Sequence, residues 1–277
     1  MTNRRFIVFS FFLVSLIGAI CATNVLRAQE GDSTIQLPPK DKLRIVVLAG
    51  QSNMAGRGFV EDADKIPNPR IFKLTREGKW APATEPIHYD KPSAGVGPGR
   101  AFAERLVDSD PTICVGLVPT ACGGSSIDDW EPGVYFKQTS SHPYDDAISR
   151  TRRALEDGTL EAILWRQGES DATLEKAAKH EEKLVTLFER LRRELDAPDV
   201  PILVGELFFA NPTEGASAIR SAQIAAVKRA QPAAFVSSEG VALNPDKIHF
   251  DRKSQIEQGD RFFEAFRLLK ERKTTNE

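Results

Sequence analysis

The sequence predicts one three-layer α/β/α domain, in which a central parallel sheet of about five strands lies between two layers of helices. Two observations predict this fold. Short apolar runs, typical of buried strands, alternate along the chain with longer segments of helical periodicity. The chain also has 277 residues, 41% of them hydrophobic and 27% charged, which suits one large globular domain better than two.

The apolar runs that we interpret as strands cover residues 43–49, 113–118, 162–165, 202–208 and 234–237. Helical periodicity is clearest over residues 173–196, where leucines and Phe188 recur on one face. It is also found over residues 98–107, 143–156, 215–230 and 252–270. Residues 59–97 contain five prolines and little periodicity, so we expect an extended loop region over one end of the sheet.

The N-terminal residues have the order of a secretory signal peptide. Arg4 and Arg5 precede an almost uninterrupted apolar run over residues 6–22, and small and polar residues follow. At about 17 residues the run is at the short limit for spanning a bilayer, which leaves an uncleaved anchor helix as the alternative. We expect a secreted or periplasmic protein without stable membrane association after cleavage. Its segments are a signal peptide (1–28), a linker (29–42), the globular domain (43–272) and a tail (273–277).

Charge and composition exclude several classes of function. The formal net charge is −2, and it becomes more negative when the signal peptide and its three arginines are removed. A mildly acidic protein has no general attraction for nucleic acid, so no nucleic-acid partner is expected. The four histidines are scattered, with no His-Glu-x-x-His motif, which argues against a metal. No phosphate-binding loop motif is present and no dinucleotide motif follows the first strand, so no cofactor is predicted.

Two cysteines, Cys114 and Cys122, remain after removal of the signal peptide. Export would permit a disulfide between them. However, Cys114 begins a predicted strand and Cys122 lies past its end, and this separation favours two buried thiols over a disulfide.

The candidate site is formed by the segments that leave the strands, because ligands of open parallel sheets bind beyond the carboxyl ends of the strands. Ser52 follows the first strand, and a Gly-Gly-Ser-Ser loop after the second strand lets backbone amides approach a ligand. Gln167 and Asp171 follow the third strand, and Asp246 and His249 directly precede the last helix. Each of these segments, taken alone, is typical of an ordinary turn or helix cap. Together they supply a nucleophile, hydrogen-bond donors and a base with its orienting carboxylate.

Four blocks resemble those of the SGNH-hydrolase superfamily, in particular its sialate O-acetylesterase and acetyl xylan esterase branch, carbohydrate esterase family six. They are Gly-Gln-Ser-Asn-Met at 50–54, Gly-Gly-Ser-Ser-Ile at 123–127, Trp-x-Gln-Gly-Glu-Ser-Asp at 165–171 and Asp-x-x-His at 246–249. The resemblance spans residues 44–266. It implies a flavodoxin-like fold with strand order 2-1-3-4-5 and an esterase of O-acetylated glycans, such as acetylated xylan or sialic acid. Gln167 matches the branch, whereas the wider superfamily has Asn there.

The chemistry of these residues is that of a serine esterase. A serine hydroxyl needs a neighbouring base to become a good nucleophile, and the pKa of histidine suits that task. We assign Ser52 as nucleophile, His249 as its base and Asp246 as the carboxylate that fixes the His249 tautomer. To the oxyanion hole we assign the amides of Ser52 and Gly124 and the side chain of Gln167.

Some supporting roles stay open. The amide of Gly123 could replace that of Gly124. Gln51 and Asn53 flank the nucleophile, and Asn53 is expected to brace the turn. Glu169 is expected to fix a loop, with a second contact to the catalytic histidine as the alternative.

Five further residues lie in or near these segments. Asp171 is expected to cap the helix that starts near residue 173. Trp130 and Trp165 could flank a sugar or pack in the core. Arg57 and Arg100 could meet an anionic sugar or be ordinary surface arginines.

Two functions other than a carbohydrate acetylesterase are alternatives for this sequence. A non-catalytic carbohydrate-binding protein of the same fold would lose the serine or the histidine, and both are present. An esterase for other short acyl esters remains open. The nucleophile motif of α/β-hydrolases, Gly-x-Ser-x-Gly, is absent because Met54 occupies its final position.

Overall fold

The computed structural model describes residues 35–276, with side chains described through residue 272. The predicted signal peptide (1–28) lies outside the described residues. The strands are β1 (Leu43–Gly50), β2 (Ile71–Leu74), β3 (Trp80–Pro82), β4 (Cys114–Pro119), β5 (Thr159–Arg166), β6 (Ile202–Gly205) and β7 (Ala233–Val236). The helices are α1 (Ser52–Ala55), α2 (Pro98–Ser109), α3 (Pro143–Leu155), α4 (Leu174–Glu194), α5 (Glu214–Arg229) and α6 (Arg252–Asn276).

The seven strands form one sheet in the order β3-β2-β4-β1-β5-β6-β7. The five strands predicted from apolar runs are all parallel, and their order along the sheet confirms the order implied by the family resemblance. The prediction for residues 59–97 was wrong in part, because β2 and β3 lie there and extend the sheet beside β4. β2 pairs parallel with β4, and β3 is antiparallel to β2.

β1 lies at the centre of the sheet, and its side chains alternate between two cores. Ile45 and Val47 are buried in the core on one face, which also contains residues of α3, α4 and α5. Val46 and Leu48 are buried on the other face, against residues of α2 and α6. This alternation is the period of two that strand geometry imposes, and it explains why β1 reads as a continuous apolar run in the sequence.

Several predicted boundaries are corrected by the structure. β6 ends at Gly205 rather than at residue 208, and α6 continues to Asn276 through most of the predicted tail (273–277). The linker predicted over 29–42 is described only from residue 35, where Ile35 and Leu37 already pack against the core. Two apolar side chains in a polar segment were enough to fix this part of the chain.

Cys114 and Cys122 are both buried, and neither is part of a disulfide within the described residues, as the strand spacing predicted. Within residues 35–276, no helix combines the length and the apolar character needed to cross a membrane.

Candidate active site

The nucleophile candidate stands at the carboxyl end of β1, on a turn that requires glycine. Gly50 has φ +124°, and a Cβ at this position would lie 2.0 Å from the Arg166 carbonyl oxygen of neighbouring β5. The amide of Gln51 donates to the same carbonyl at 2.8 Å. The chain therefore turns sharply into α1, and Ser52 becomes the first residue of that single helical turn.

The segment before α6 brings a histidine to this serine. His249 Nε2 lies 3.0 Å from Ser52 Oγ, and His249 Nδ1 lies 2.7 Å from Asp246 Oδ2. The other carboxylate oxygen, Asp246 Oδ1, accepts from the amides of Ile248 and His249, both at 2.9 Å. These contacts give the continuous hydrogen-bonded chain of a hydroxyl, an imidazole and a carboxylate.

The charge on the carboxylate is favoured by its surroundings. Burial alone would raise the pKa of Asp246, but hydrogen bonds from the backbone amides of His249 and Ile248 and from the imidazole lower it below its ordinary value. The carboxylate is therefore ionised at neutral and mildly acidic pH, where it can accept from His249 Nδ1 and leave Nε2 free to take a proton.

Asn53 joins the serine turn to the histidine loop. Its Nδ2 donates to Glu169 Oε1 at 2.7 Å and to the Ile248 carbonyl at 3.2 Å, and its Oδ1 accepts from the Phe250 amide at 3.1 Å. The residues on both sides of His249 are thus tied to the residue after Ser52. These are the contacts expected of a side chain that braces the turn after Ser52, as predicted for Asn53.

Glu169 and Gln51 fix the loop that follows β5. Within the described residues, Glu169 accepts a hydrogen bond from Asn53, which favours loop fixing over contact with His249. Gln51 Oε1 accepts from the Gly168 amide at 3.3 Å. Both side chains therefore connect the serine turn to the neighbouring loop.

The glycine loop after β4 offers one free amide. Gly123 N donates to Asp90 Oδ2 at 2.9 Å, and that carboxylate also pairs with Arg57 Nη2 at 2.7 Å in a buried ion pair. Gly124, with φ +93°, has no hydrogen-bond acceptor for its amide among the described residues. This favours Gly124 over Gly123 as a donor to a ligand. The Ser52 amide, as the first of α1, has no acceptor within its helix.

The contacts of Gln167 differ from the predicted ones. The side chain is fully buried, and its Nε2 donates to Asp171 Oδ2 at 2.6 Å and to the Ser125 carbonyl at 3.2 Å. Both amide hydrogens are therefore taken by protein acceptors, and Gln167 is not a free oxyanion donor in this conformation. It links the loop after β5 to the glycine loop instead.

The prediction that Asp171 caps α4 was wrong. Thr173 is the cap, since its side-chain oxygen accepts from the Lys176 amide at 3.3 Å. Asp171 is fully buried and accepts from the Ile127 amide at 2.7 Å as well as from Gln167. It is thus the common acceptor that holds the two loops together.

Other predicted contacts with a sugar are excluded by burial or pairing. Trp130 and Trp165 are buried against each other, with ring centroids 4.9 Å apart, so neither face is open to a ligand. Arg57 is held in its ion pair with Asp90, and Arg100 donates to Glu104 at 2.9 Å.

Comparisons with known proteins assign the chain to a family. Residues 42–267 match the family model described as "Carbohydrate esterase, sialic acid-specific acetylesterase". The chain belongs to this family. It is therefore a carboxylic ester hydrolase of the carbohydrate acetylesterase type, and the resemblance to SGNH hydrolases is confirmed.

Three relatives illustrate the range of similarity. A probable carbohydrate esterase of Arabidopsis thaliana is 32% identical in sequence, over 83% of this chain and 91% of its own length. Its solved structure superposes on this chain with a TM-score of 0.73, over 83% of this chain and 98% of the solved one. A probable 9-O-acetyl-N-acetylneuraminic acid deacetylase of Escherichia coli is 28% identical over 56% of this chain and 61% of its own. A carbohydrate acetylesterase of Xanthomonas citri, 22% identical, shares the fold over 82% of this chain and 56% of its own, with a TM-score of 0.63.

Two residues of the esterase that support the site were missed by sequence reasoning. Arg166, at the end of β5, is fully buried, donates to Gln258 Oε1 at 2.8 Å and lies 4.1 Å from the centroid of the Phe250 ring. Asp90, described above, anchors the glycine loop. Asp90 belongs to no block that carries the family resemblance, and Arg166 occupies the unspecified position of the block at 165–171. No local pattern marks either of them.

A groove borders the site of the esterase, and we name it the Phe59 groove. Its volume is about 560 Å³, within the ~300–1,000 Å³ typical of small-molecule sites. It is lined by Arg57, Gly58, Phe59, Val60, Ser93, Ala94, Gly95, Asn244, Pro245, Asp246 and His249. The described residues contain no group of three or more His, Cys, Asp or Glu that could hold a metal ion.

Proposed function

We propose that this esterase removes O-acetyl groups from carbohydrate by acyl transfer through Ser52, with His249 and Asp246 completing a catalytic triad. The observation that carries the proposal is the hydrogen-bonded chain from Ser52 Oγ through the His249 ring to Asp246, with distances of 3.0 and 2.7 Å. A serine and a histidine in direct contact, with the imidazole oriented by a carboxylate, form the arrangement that activates a hydroxyl nucleophile.

In the first half-reaction, His249 Nε2 takes the proton of Ser52 Oγ as that oxygen forms a bond to the carbonyl carbon of the acetyl ester. The resulting imidazolium is stabilised by Asp246. Collapse of the tetrahedral intermediate breaks the bond between the carbonyl carbon and the sugar oxygen. The sugar leaves as an alcohol, because His249 returns the proton to it, and the acetyl group stays on Ser52.

The negative charge of the tetrahedral intermediate requires donors fixed before the reaction begins. We assign this role to the amides of Ser52 and Gly124. The Gly124 amide is held in place indirectly, because Asp90 binds the preceding amide and Ser170 Oγ donates to the Gly124 carbonyl at 2.9 Å. Gln167 acts as a positioning residue for the same loop through its contacts with Ser125 and Asp171.

In the second half-reaction, water replaces the sugar. His249 removes a proton from the water as its oxygen attacks the acetyl carbonyl carbon. The second tetrahedral intermediate then collapses as the proton returns from His249 to Ser52 Oγ. Acetic acid leaves and loses its remaining proton to the solvent as acetate. No group other than water is consumed.

We further propose an acetylated glycan as the substrate and a secreted or periplasmic location. The glycan is supported by the family and by the names of the relatives. The location is supported by the basic and then apolar order of the N-terminal residues. After cleavage, no stable association with a membrane and no nucleic-acid partner are expected.

Acetate release from a panel of esters tests this proposal. The wild-type chain is expected to release acetate from at least one of acetylated xylan, acetylated pectin and acetylated sialosides, and to hydrolyse the acetyl esters faster than matched butyryl esters. A heat-denatured sample of the same preparation is the control. If the folded protein releases no acetate from any member of the panel, a carbohydrate-binding role replaces the esterase proposal.

A further inference from the structure

Phe59 departs from the usual placement of large apolar side chains. Its side chain is 70% exposed, although neighbouring Gly58 is buried. It does not stand alone on the surface, because Val60, Ala94 and Pro245 line the same groove. A contiguous apolar surface beside a catalytic site is typical of a ligand-binding surface.

The backbone that carries Phe59 is held on several sides. Gly58 and Val96 exchange two hydrogen bonds, at 3.1 and 2.8 Å, and Asn244 Nδ2 donates to the Arg57 carbonyl at 2.8 Å. Gly58 also packs so closely that a Cβ there would lie 2.8 Å from the Arg252 Cα. The exposure of Phe59 is therefore a property of a fixed segment, and the ring is presented to the groove by the fold.

The groove adjoins the residue that protonates the leaving alcohol in the proposed reaction. His249 lines it, and in the proposed reaction His249 gives its proton to the sugar oxygen. The sugar ring that carries this oxygen must therefore lie next to His249. Sugar rings have apolar C–H faces that pack against aromatic rings, so a side chain such as Phe59 is a suitable platform.

From this arrangement we propose that the Phe59 groove binds the sugar ring of the leaving alcohol, stacked on Phe59, and that this ring is neutral. The inference rests on the proposed function and adds a substrate-positioning residue and a substrate class to it.

The charges of the groove support a neutral ring. Arg57 is the one lysine or arginine among the described residues that line it, and its guanidinium is already paired with buried Asp90. A carboxylate on the sugar would find no unpaired lysine or arginine among these residues, and it would meet the negative charge of Asp246 in the wall. A neutral ring avoids this repulsion and needs no cation.

Steady-state kinetics of Phe59→Ala and Phe59→Trp test the inference. The substrates are partially acetylated xylo-oligosaccharides, 9-O-acetyl-N-acetylneuraminic acid and 4-nitrophenyl acetate. For the xylo-oligosaccharides, Phe59→Ala is expected to raise KM about 10-fold with kcat within about 3-fold of wild type, because stacking stabilises substrate and transition state alike. Phe59→Trp is expected to keep KM within about 3-fold of wild type, since it retains the aromatic platform. The wild type is expected to prefer the neutral oligosaccharides over the sialic acid ester in kcat/KM.

Leu268→Ala is the matched control. Leu268 is also exposed, at 41%, and lies about 24 Å along α6 from Arg252, away from the groove. Equal KM values for Phe59→Ala and Leu268→Ala, a fall in kcat without a rise in KM, or a preference for the sialic acid ester would overturn the inference. A wild type that hydrolyses none of the three substrates, 4-nitrophenyl acetate included, would instead remove the proposed function, and the inference with it.

Discussion

Replacing His249 with Ala is expected to lower kcat for an acetyl ester by about 10⁶-fold, because Ser52 then has no base within hydrogen-bonding distance. Ser52→Ala is expected to have an equal effect, and the double variant should be no slower than either single one. Residues that act as a unit lose their whole contribution when one member is removed. The measurement is single-substrate kinetics with 4-nitrophenyl acetate, after each variant has been shown to unfold at the wild-type temperature.

His142→Ala provides the matched histidine control. His142 lies before α3, where its ring is 5.3 Å from that of Tyr135, and it belongs to neither the triad nor the glycine loop. Its substitution is expected to leave kcat within about 3-fold of wild type, because none of its contacts described above involves the triad or the glycine loop. Near-normal activity of His249→Ala would remove this residue from the mechanism. Losses that multiply in the double variant would show that Ser52 and His249 act independently.

Asp246→Asn is expected to lower kcat by about 10⁴-fold while leaving KM close to that of the wild type. The asparagine oxygen can keep the two hydrogen bonds from the backbone amides, so the loop is preserved. The new NH₂ group, however, faces His249 Nδ1. The imidazole must then carry its hydrogen on Nε2, where it cannot accept the proton of Ser52 Oγ.

Asp251→Asn is the control for a general effect of losing a carboxylate. Asp251 Oδ1 accepts from the Ser254 amide at 2.7 Å at the start of α6, and asparagine caps helices about as well as aspartate. This variant is expected to keep wild-type activity. Activity of Asp246→Asn within about 3-fold of wild type would show that the carboxylate has no role beyond loop geometry.

The central part of the fold was predictable because each of its strands is buried on both faces. Burial on both faces gives a continuous apolar run, and β1, β4 and β5 were found in this way. β2 and β3 have only four and three residues, and β3 is partly exposed at the edge of the sheet. Such short segments carry too little periodicity to distinguish them from loop, so the sheet was predicted two strands too small.

The site was predictable where residues of the right type stand directly after a strand or directly before a helix, and less so where their roles depend on distant partners. Ser52 and His249 were identified from position and residue type. The amide of Gly124 could be chosen over that of Gly123 only when Asp90 was seen to occupy the latter. The contact between Gln167 and Asp171 could not be predicted for the same reason. The sequence does not show whether the side-chain amide of a glutamine is free or already bound to a protein acceptor.

The most direct test of the whole account is the site of covalent labelling by an organophosphate such as diisopropyl fluorophosphate. Its phosphorus bonds to the oxygen of an activated serine and releases fluoride. Mass spectrometry of peptides from the inactivated wild-type enzyme should show one adduct, on Ser52, and the His249→Ala variant should stay unlabelled over the same time. An adduct on a different serine in the inactivated enzyme, with Ser52 unmodified, would contradict the account.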